Sequence, residues 1–188
     1  MKRNFSFFVL LSFMASLFAM ISLSSHARAD APAPDKDGYI LTGSGVRSKS
    51  IAFVSVDVYG IRHDIKAPLP AKSKQAMIDA DQDKKFSWSM RHDVDSEKIQ
   101  NALKDGFKLN GYTDGGKISR FVSAFTKEIK VNQGVSISYN SATKATTIWV
   151  QGQGSATVEG VDFMKAVWSL WFGRIDQPSL GDQLISKL

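Results

Sequence analysis

The sequence predicts an α+β domain, an open-faced sandwich with helices packed on one face of an antiparallel sheet. Three observations carry that expectation. Elements come in blocks: strands first, then two helices, a β-hairpin and two more helices. The one-for-one strand–helix alternation of a doubly wound parallel sheet is missing. Composition is that of a globular chain, 188 residues with 43 % hydrophobic and 22 % charged, enough for one ordinary domain.

Taken in chain order, Ile51 to Ile65 carries Val54, Val56 and Val58 on one parity and Ile51, Phe53, Tyr59 and Ile61 on the other. Strong β-formers on both parities predict a long strand with both faces at least partly covered. Pro68 and Pro70 end it, since neither can donate to a ladder. A short helical turn is expected around Ala76 to Ile78. Phe86, Trp88 and Met90 alternate with polar residues as a half-buried strand. Asp95 or Ser96 caps a helix with Ile99, Ala102, Leu103 and Phe107 on one stripe, closed by Asn110-Gly111. Ile118, Phe121, Val122, Phe125 and Ile129 follow the helical period and predict a second helix through Ile129. Val135 to Tyr139 and Thr146 to Gln151 flank Asn140-Ser141-Ala142-Thr143-Lys144 as a hairpin, broken by Gly152 and Gly154. Val161 to Phe172 is apolar over most of a helical circumference and stops at Gly173, and Pro178 opens a last helix with Leu180, Leu184, Ile185 and Leu188 inward.

The first 29 residues read as an export signal. Lys2 and Arg3 precede an uncharged stretch from Phe5 to Leu23, and Ala27-Arg28-Ala29 places small residues where signal peptidase needs them. A retained membrane anchor is the rival, but Ser6, Ser12, Ser16 and Ser22 dilute the stretch. Cleavage after Ala29 and a periplasmic destination are expected, with no stable membrane insertion afterwards. Residues 30–37, with Pro32 and Pro34, read as a loose leader to a domain spanning 38–188.

Charge and composition narrow the function. The net charge is +6, yet Lys2, Arg3 and Arg28 all precede the cleavage position and no acid does. The remaining basic residues are spread over many elements, which argues against a nucleic-acid partner. Cysteine is absent, which removes disulfides, thiolate metal sites and a cysteine nucleophile.

Gly43-Ser44-Gly45-Val46-Arg47 is the most informative local string. An arginine held in a crevice would bind a carboxylate or polarise a carbonyl. The string lacks the lysine–hydroxyl pair of a phosphate loop. On local evidence the plainer reading is a glycine-rich turn with a surface arginine. Arg62-His63-Asp64 recurs as Arg91-His92-Asp93, and histidine with aspartate can bind zinc. The spacing of about thirty residues fits no local ligand motif, and charged strand ends facing water explain both triplets. There is no G-x-S-x-G elbow, and no carboxylate pair suited to glycoside hydrolysis stands out.

The Gly43–Arg47 string, the strand Phe53 to Tyr59, the helix start Ser96-Glu97-Lys98-Ile99 and the ending Ala166 to Gly173, in this order, resemble the chalcone isomerase-like family in its bacterial exported branch. The resemblance covers about residues 38 to 188 and implies a large antiparallel sheet, helices over one face and a ligand cleft between them. The family's plant enzymes cyclise a chalcone by intramolecular oxa-Michael addition. Their arginine matches Arg47. Their strand threonine falls on Val54, their tyrosine on Asp95, their helix asparagine on Ala102 beside Asn101, and their late hydroxyl on Leu170 beside Ser169. Only the arginine survives.

Non-catalytic members resemble fatty-acid-binding proteins, in which the arginine and a strand tyrosine grip a carboxylate. Arg47 and Tyr59 match that pair. Phe53, Trp88, Phe121, Phe125, Phe163, Trp168 and Trp171 are candidates to line an acyl cleft, although for most of them plain core is the simpler role. The resemblance therefore implies a periplasmic binder of a small amphipathic carboxylate such as a fatty acid, with no cofactor, no metal and no catalytic residue. Two alternatives stay open: an intramolecular lyase with an unknown substrate, and a structural partner of another envelope protein. Oligomeric state is not legible in the sequence.

Overall fold

The computed structural model describes residues 33–51 and 53–188; the export signal and its cleavage position lie outside them. The chain forms six strands and five helices: β1 (Ile40–Ile51), β2 (Val54–Ile65), α1 (Lys74–Asp79), β3 (Lys84–Met90), α2 (Ser96–Leu109), α3 (Gly115–Val122), β4 (Gly134–Asn140), β5 (Ala145–Val150), β6 (Gly154–Glu159), α4 (Val161–Phe172) and α5 (Pro178–Leu184). All neighbouring strands are antiparallel, and their order across the sheet is the order of the chain. This is the expected open-faced α+β sandwich.

Period-two burial shows which face the helices cover. Lys84, Phe86, Trp88 and Met90 of β3 are buried, as are Val135, Ile137 and Tyr139 of β4 and Ile148 and Val150 of β5. On the other face one transverse row runs Ser44, Arg62, Ser87, Ser136, Trp149 and Ser155, each the register partner of the next. Helix α4 lies deep in the helical layer. Phe163, Met164, Val167, Trp168, Leu170, Trp171 and Phe172 are all buried, which explains a helix apolar nearly all round. Phe86 packs on both of its tryptophans, 4.5 Å from Trp171 and 5.2 Å from Trp168 between ring centroids.

Local chemistry sets the boundaries. Asp95 caps α2 by accepting from the Glu97 N–H at 2.8 Å, and Asp114 caps α3 from the Lys117 N–H at 3.0 Å. The β4–β5 turn closes on the Asn140 side chain, which accepts from the N–H groups of Ala142 and Thr143.

Three expectations need correction, and one strand went unannounced. Ile51 to Ile65 is not one strand: Ile51 closes β1 and Val54 opens β2, and the two pair antiparallel. Gly43 to Arg47 is not a turn but the middle of a twelve-residue strand. Helix α3 ends at Val122 rather than Ile129, because the Gln153 side chain accepts from the N–H groups of Thr126 and Lys127 and Ile129 bridges to Val94. Phe125 and Ile129 are buried all the same. Strand β6 carries a single buried residue, Val158, so alternation was too sparse to signal it.

The two strand glycines have a packing cause. A Cβ on Gly43 would overlap the Gln183 carbonyl oxygen and lie 2.6 Å from the Leu184 carbonyl carbon; one on Gly45 would lie 2.8 Å from Leu180 Cδ1. Helix α5 therefore seats directly on the β1 backbone, and only glycine permits that approach.

Candidate functional site

Seating α5 on β1 brings the α4–α5 connection against Arg47. Arg47 and Tyr59 are directly paired across β1 and β2, so their side chains share the helix-bearing face. A β-bulge follows at once, Tyr59 opposing Arg47 and Asp57 opposing Ser48, and it re-aims the chain just beyond the pair. The Arg47 side chain is 14 % exposed. Its guanidinium donates to Asp176 Oδ1 at 2.6 Å, Gln177 Oε1 at 3.2 Å and its neighbour's Ser48 carbonyl at 3.2 Å. Gln177 in turn accepts from the Ser48 N–H and donates to the Val46 carbonyl, engaging the β1 edge as a neighbouring strand would.

Electrostatics match this geometry. Partial burial works to raise the Asp176 carboxyl, but the Arg47 guanidinium, helped by Lys49, outweighs it and holds the group below its ordinary value. Burial pushes the Tyr59 phenol up against the opposing Trp171 hydrogen bond and the Arg47 charge, so it stays a neutral hydroxyl. Its oxygen accepts from Trp171 Nε1 at 3.1 Å, which leaves its own proton free to donate. Trp88 stacks on Tyr59 at 5.2 Å. The arrangement can hold a carboxylate by a charge-assisted contact with a phenol alongside.

The fold gives each of the other candidate positions a setting of its own. Val54 is exposed near the hairpin tip, Asp95 is spent as a helix cap, Asn101 and Ala102 face solvent, and the Ser169 hydroxyl bonds back to the Lys165 carbonyl. Of the proposed cleft residues, Phe53 is fully exposed and the other six are core. A shallow depression of about 650 Å³ lies on the uncovered sheet face, bordered by Ser44, Gly60, Arg62, Ser89 and Arg91, and another of about 480 Å³ lies by Lys117, Arg120 and Thr157.

The two Arg-His-Asp triplets do not meet as ligands. His63 is buried with both ring nitrogens engaged, whereas His92 is exposed. The Trp168 indole has only a donor, so at 2.8 Å it fixes His63 Nε2 as acceptor. Nδ1 then carries the ring proton toward Thr42 Oγ1 at 2.8 Å, and that hydroxyl donates to the Leu184 carbonyl at 2.7 Å. A bulge at Thr42 turns this hydroxyl inward. The chain of bonds ties α4, β2, β1 and α5 together. Asp64 is buried against Arg62, and Asp57 pairs with Arg91 at 2.8 Å. Among the described residues no group of three or more histidines and carboxylates is placed to hold a metal ion.

Sequence reasoning singles out Arg47 and Tyr59, which the register pairs, and misses Asp176 and Gln177 beside Arg47. They stand about 130 positions from Arg47 and belong to no motif, so no local signal could have paired them.

Comparison with known proteins agrees with this architecture. A search of curated proteins finds no match. Among solved structures, a fatty-acid binding protein of Arabidopsis thaliana superposes with a TM-score of 0.65 at 17 % identity, covering 82 % of this chain and 90 % of that one. The family model described as chalcone isomerase-like matches residues 25–184. With that match spanning most of its length and the open-faced sheet observed, the chain belongs to the chalcone isomerase-like family.

Proposed function

We propose that the protein is a non-catalytic binder of a small amphipathic carboxylate, such as a fatty acid, and that it works in the periplasm after removal of residues 1–29. One observation carries the reading: Arg47 already grips a carboxylate, that of Asp176, beside a Tyr59 hydroxyl with a proton left to give. The likeness to a plant fatty-acid binding protein supports it at the level of the fold. A ligand carboxylate takes the place of Asp176 on Arg47, with Tyr59 donating to it. Because the aromatic layer beneath is packed, the acyl chain enters by displacing residues 173–177 rather than by filling a ready cavity. Each methylene taken from water then contributes roughly 0.8 kcal/mol. The isomerase alternative draws no support from Val54, Asp95, Ala102 or Leu170, none of which supplies the hydroxyl or amide that such a network needs. Among the described residues no helix is long and apolar enough to cross a membrane.

Titration calorimetry with sodium dodecanoate on the chain beginning at Asp30 tests the reading. Saturable one-to-one binding is expected, lost in Arg47→Ala and weakened about tenfold in Tyr59→Phe, the scale of one hydrogen bond to a charged group. Binding that survives Arg47→Ala unchanged would refute it.

A further inference from the structure

Trp88 is 5 % exposed, yet among the described residues its indole N–H meets no acceptor within hydrogen-bond distance. Buried donors are rarely left unmet. Thr146 Oγ1 is in the same position on β5, but a hydroxyl can turn about its bond to find a partner, whereas an indole N–H points where its ring points. The Trp88 ring is fixed by packing, 5.2 Å from Tyr59 and 5.4 Å from Trp171 between centroids. Trp171 cannot relieve it, because an indole offers no acceptor. The Tyr59 oxygen already accepts from Trp171.

These three packed side chains hold three donors and a single acceptor oxygen. Arg47, paired with Tyr59 across the strands, adds further N–H donors. Such a surplus suits a group that only accepts, and an ionised carboxylate has two oxygens and about four lone-pair sites. We propose that Trp88 is a third ligand-positioning residue, its indole N–H donating to an acceptor oxygen at the carboxyl end of the molecule held by Arg47 and Tyr59. The inference rests on the carboxylate-binding reading above and adds a neutral donor to it. That donor favours ligands whose polar end carries accepting oxygens over those ending in an amine or a bare hydrocarbon.

The chain has four tryptophans, Trp88, Trp149, Trp168 and Trp171, so ¹⁵N labelling yields four indole resonances, each assignable from its Trp→Phe variant. Sodium dodecanoate is titrated into the unsubstituted protein. The Trp88 N–H resonance moves downfield in step with binding, while those of exposed Trp149 and of Trp168, held by His63, stay in place. Trp88→Phe, checked by circular dichroism for its fold, binds dodecanoate about tenfold more weakly. Arg47-dependent binding with an unmoved Trp88 resonance would overturn the role of Trp88 and leave the reading of Arg47 and Tyr59 standing. No binding of dodecanoate to the unsubstituted protein would overturn both. The resonance is read on the native sequence, so the test holds even where Trp88→Phe fails to fold.

Discussion

Lys84 lies in the buried face of β3 with no carboxylate of the described residues bonded to it, and replacing it tests the electrostatics of the core. Its Nζ donates to the carbonyls of Met77 at 2.7 Å and Ile78 at 3.3 Å in the last turn of α1, and sits 4.7 Å from the Trp168 ring centroid. Burial lowers its pKa from 10.5 to about 7, against the pull of Asp79 and Asp81. Between those values the unfolded chain keeps a proton that the folded chain has released. Stability therefore rises with pH through this window, by ~1.4 kcal/mol per unit, and is lost as pH falls toward 7. Urea unfolding of the wild type and Lys84→Met from pH 7 to 9.5 isolates the effect, since other groups titrate alike in both. Tyr59, Tyr112 and Tyr139 are all raised by burial and bring an opposite trend above that range. The wild type should gain about 3 kcal/mol relative to the variant between pH 7 and 9.5. Parallel profiles would refute the reasoning and mean that Lys84 keeps its ordinary pKa by reaching solvent.

The other predictions concern the bonds around the site and the mature end. Burial, with Lys84 adding to it, holds His63 well below 6.5, so stability should fall as pH drops below 6.5 while the unfolded chain takes a proton that the folded one refuses; His63→Gln should flatten that fall in unfolding curves from pH 7 to 5. Trp168→Phe leaves His63 Nε2 without its donor and should cost about 1–3 kcal/mol beyond the change in packing. Gly43→Ala forces α5 off β1 and should cost about 3 kcal/mol in thermal unfolding, whereas Gly115→Ala, where a Cβ meets open space, should change stability by about 0.5 kcal/mol or less. Asp176→Asn removes the internal competitor for Arg47. An exposed ion pair is worth about 1 kcal/mol at most, so dodecanoate affinity should rise up to roughly fivefold; a fall would make Asp176 a support of the site. Export predicts that protein taken from the envelope begins at Asp30, read by intact mass.

Most of the sheet and helix inventory was legible because it is written in local periods. Phe86, Trp88 and Met90 alternate, and Phe163 to Phe172 is apolar around a full helix, so burial followed directly. Failures came where a distant group overrode the local pattern. The helical spacing continued to Ile129, but the Gln153 side chain took the backbone donors that a longer helix would have used. The Gly-x-Gly string looked like a turn because glycine is permissive in isolation; in the fold it makes room for α5.

The sequence by itself determined the α+β class and the family, and it singled out Arg47 and Tyr59 without showing that their strands pair. Tertiary structure alone decided what Arg47 touches, that His63 is a satisfied core residue, and that the Trp88 donor goes unmet among the described residues. The physical reason is range. Propensity and periodicity act over a few residues, whereas the partners of a buried charge or donor are whatever the packed helices bring within about 3 Å of it, from any distance along the chain.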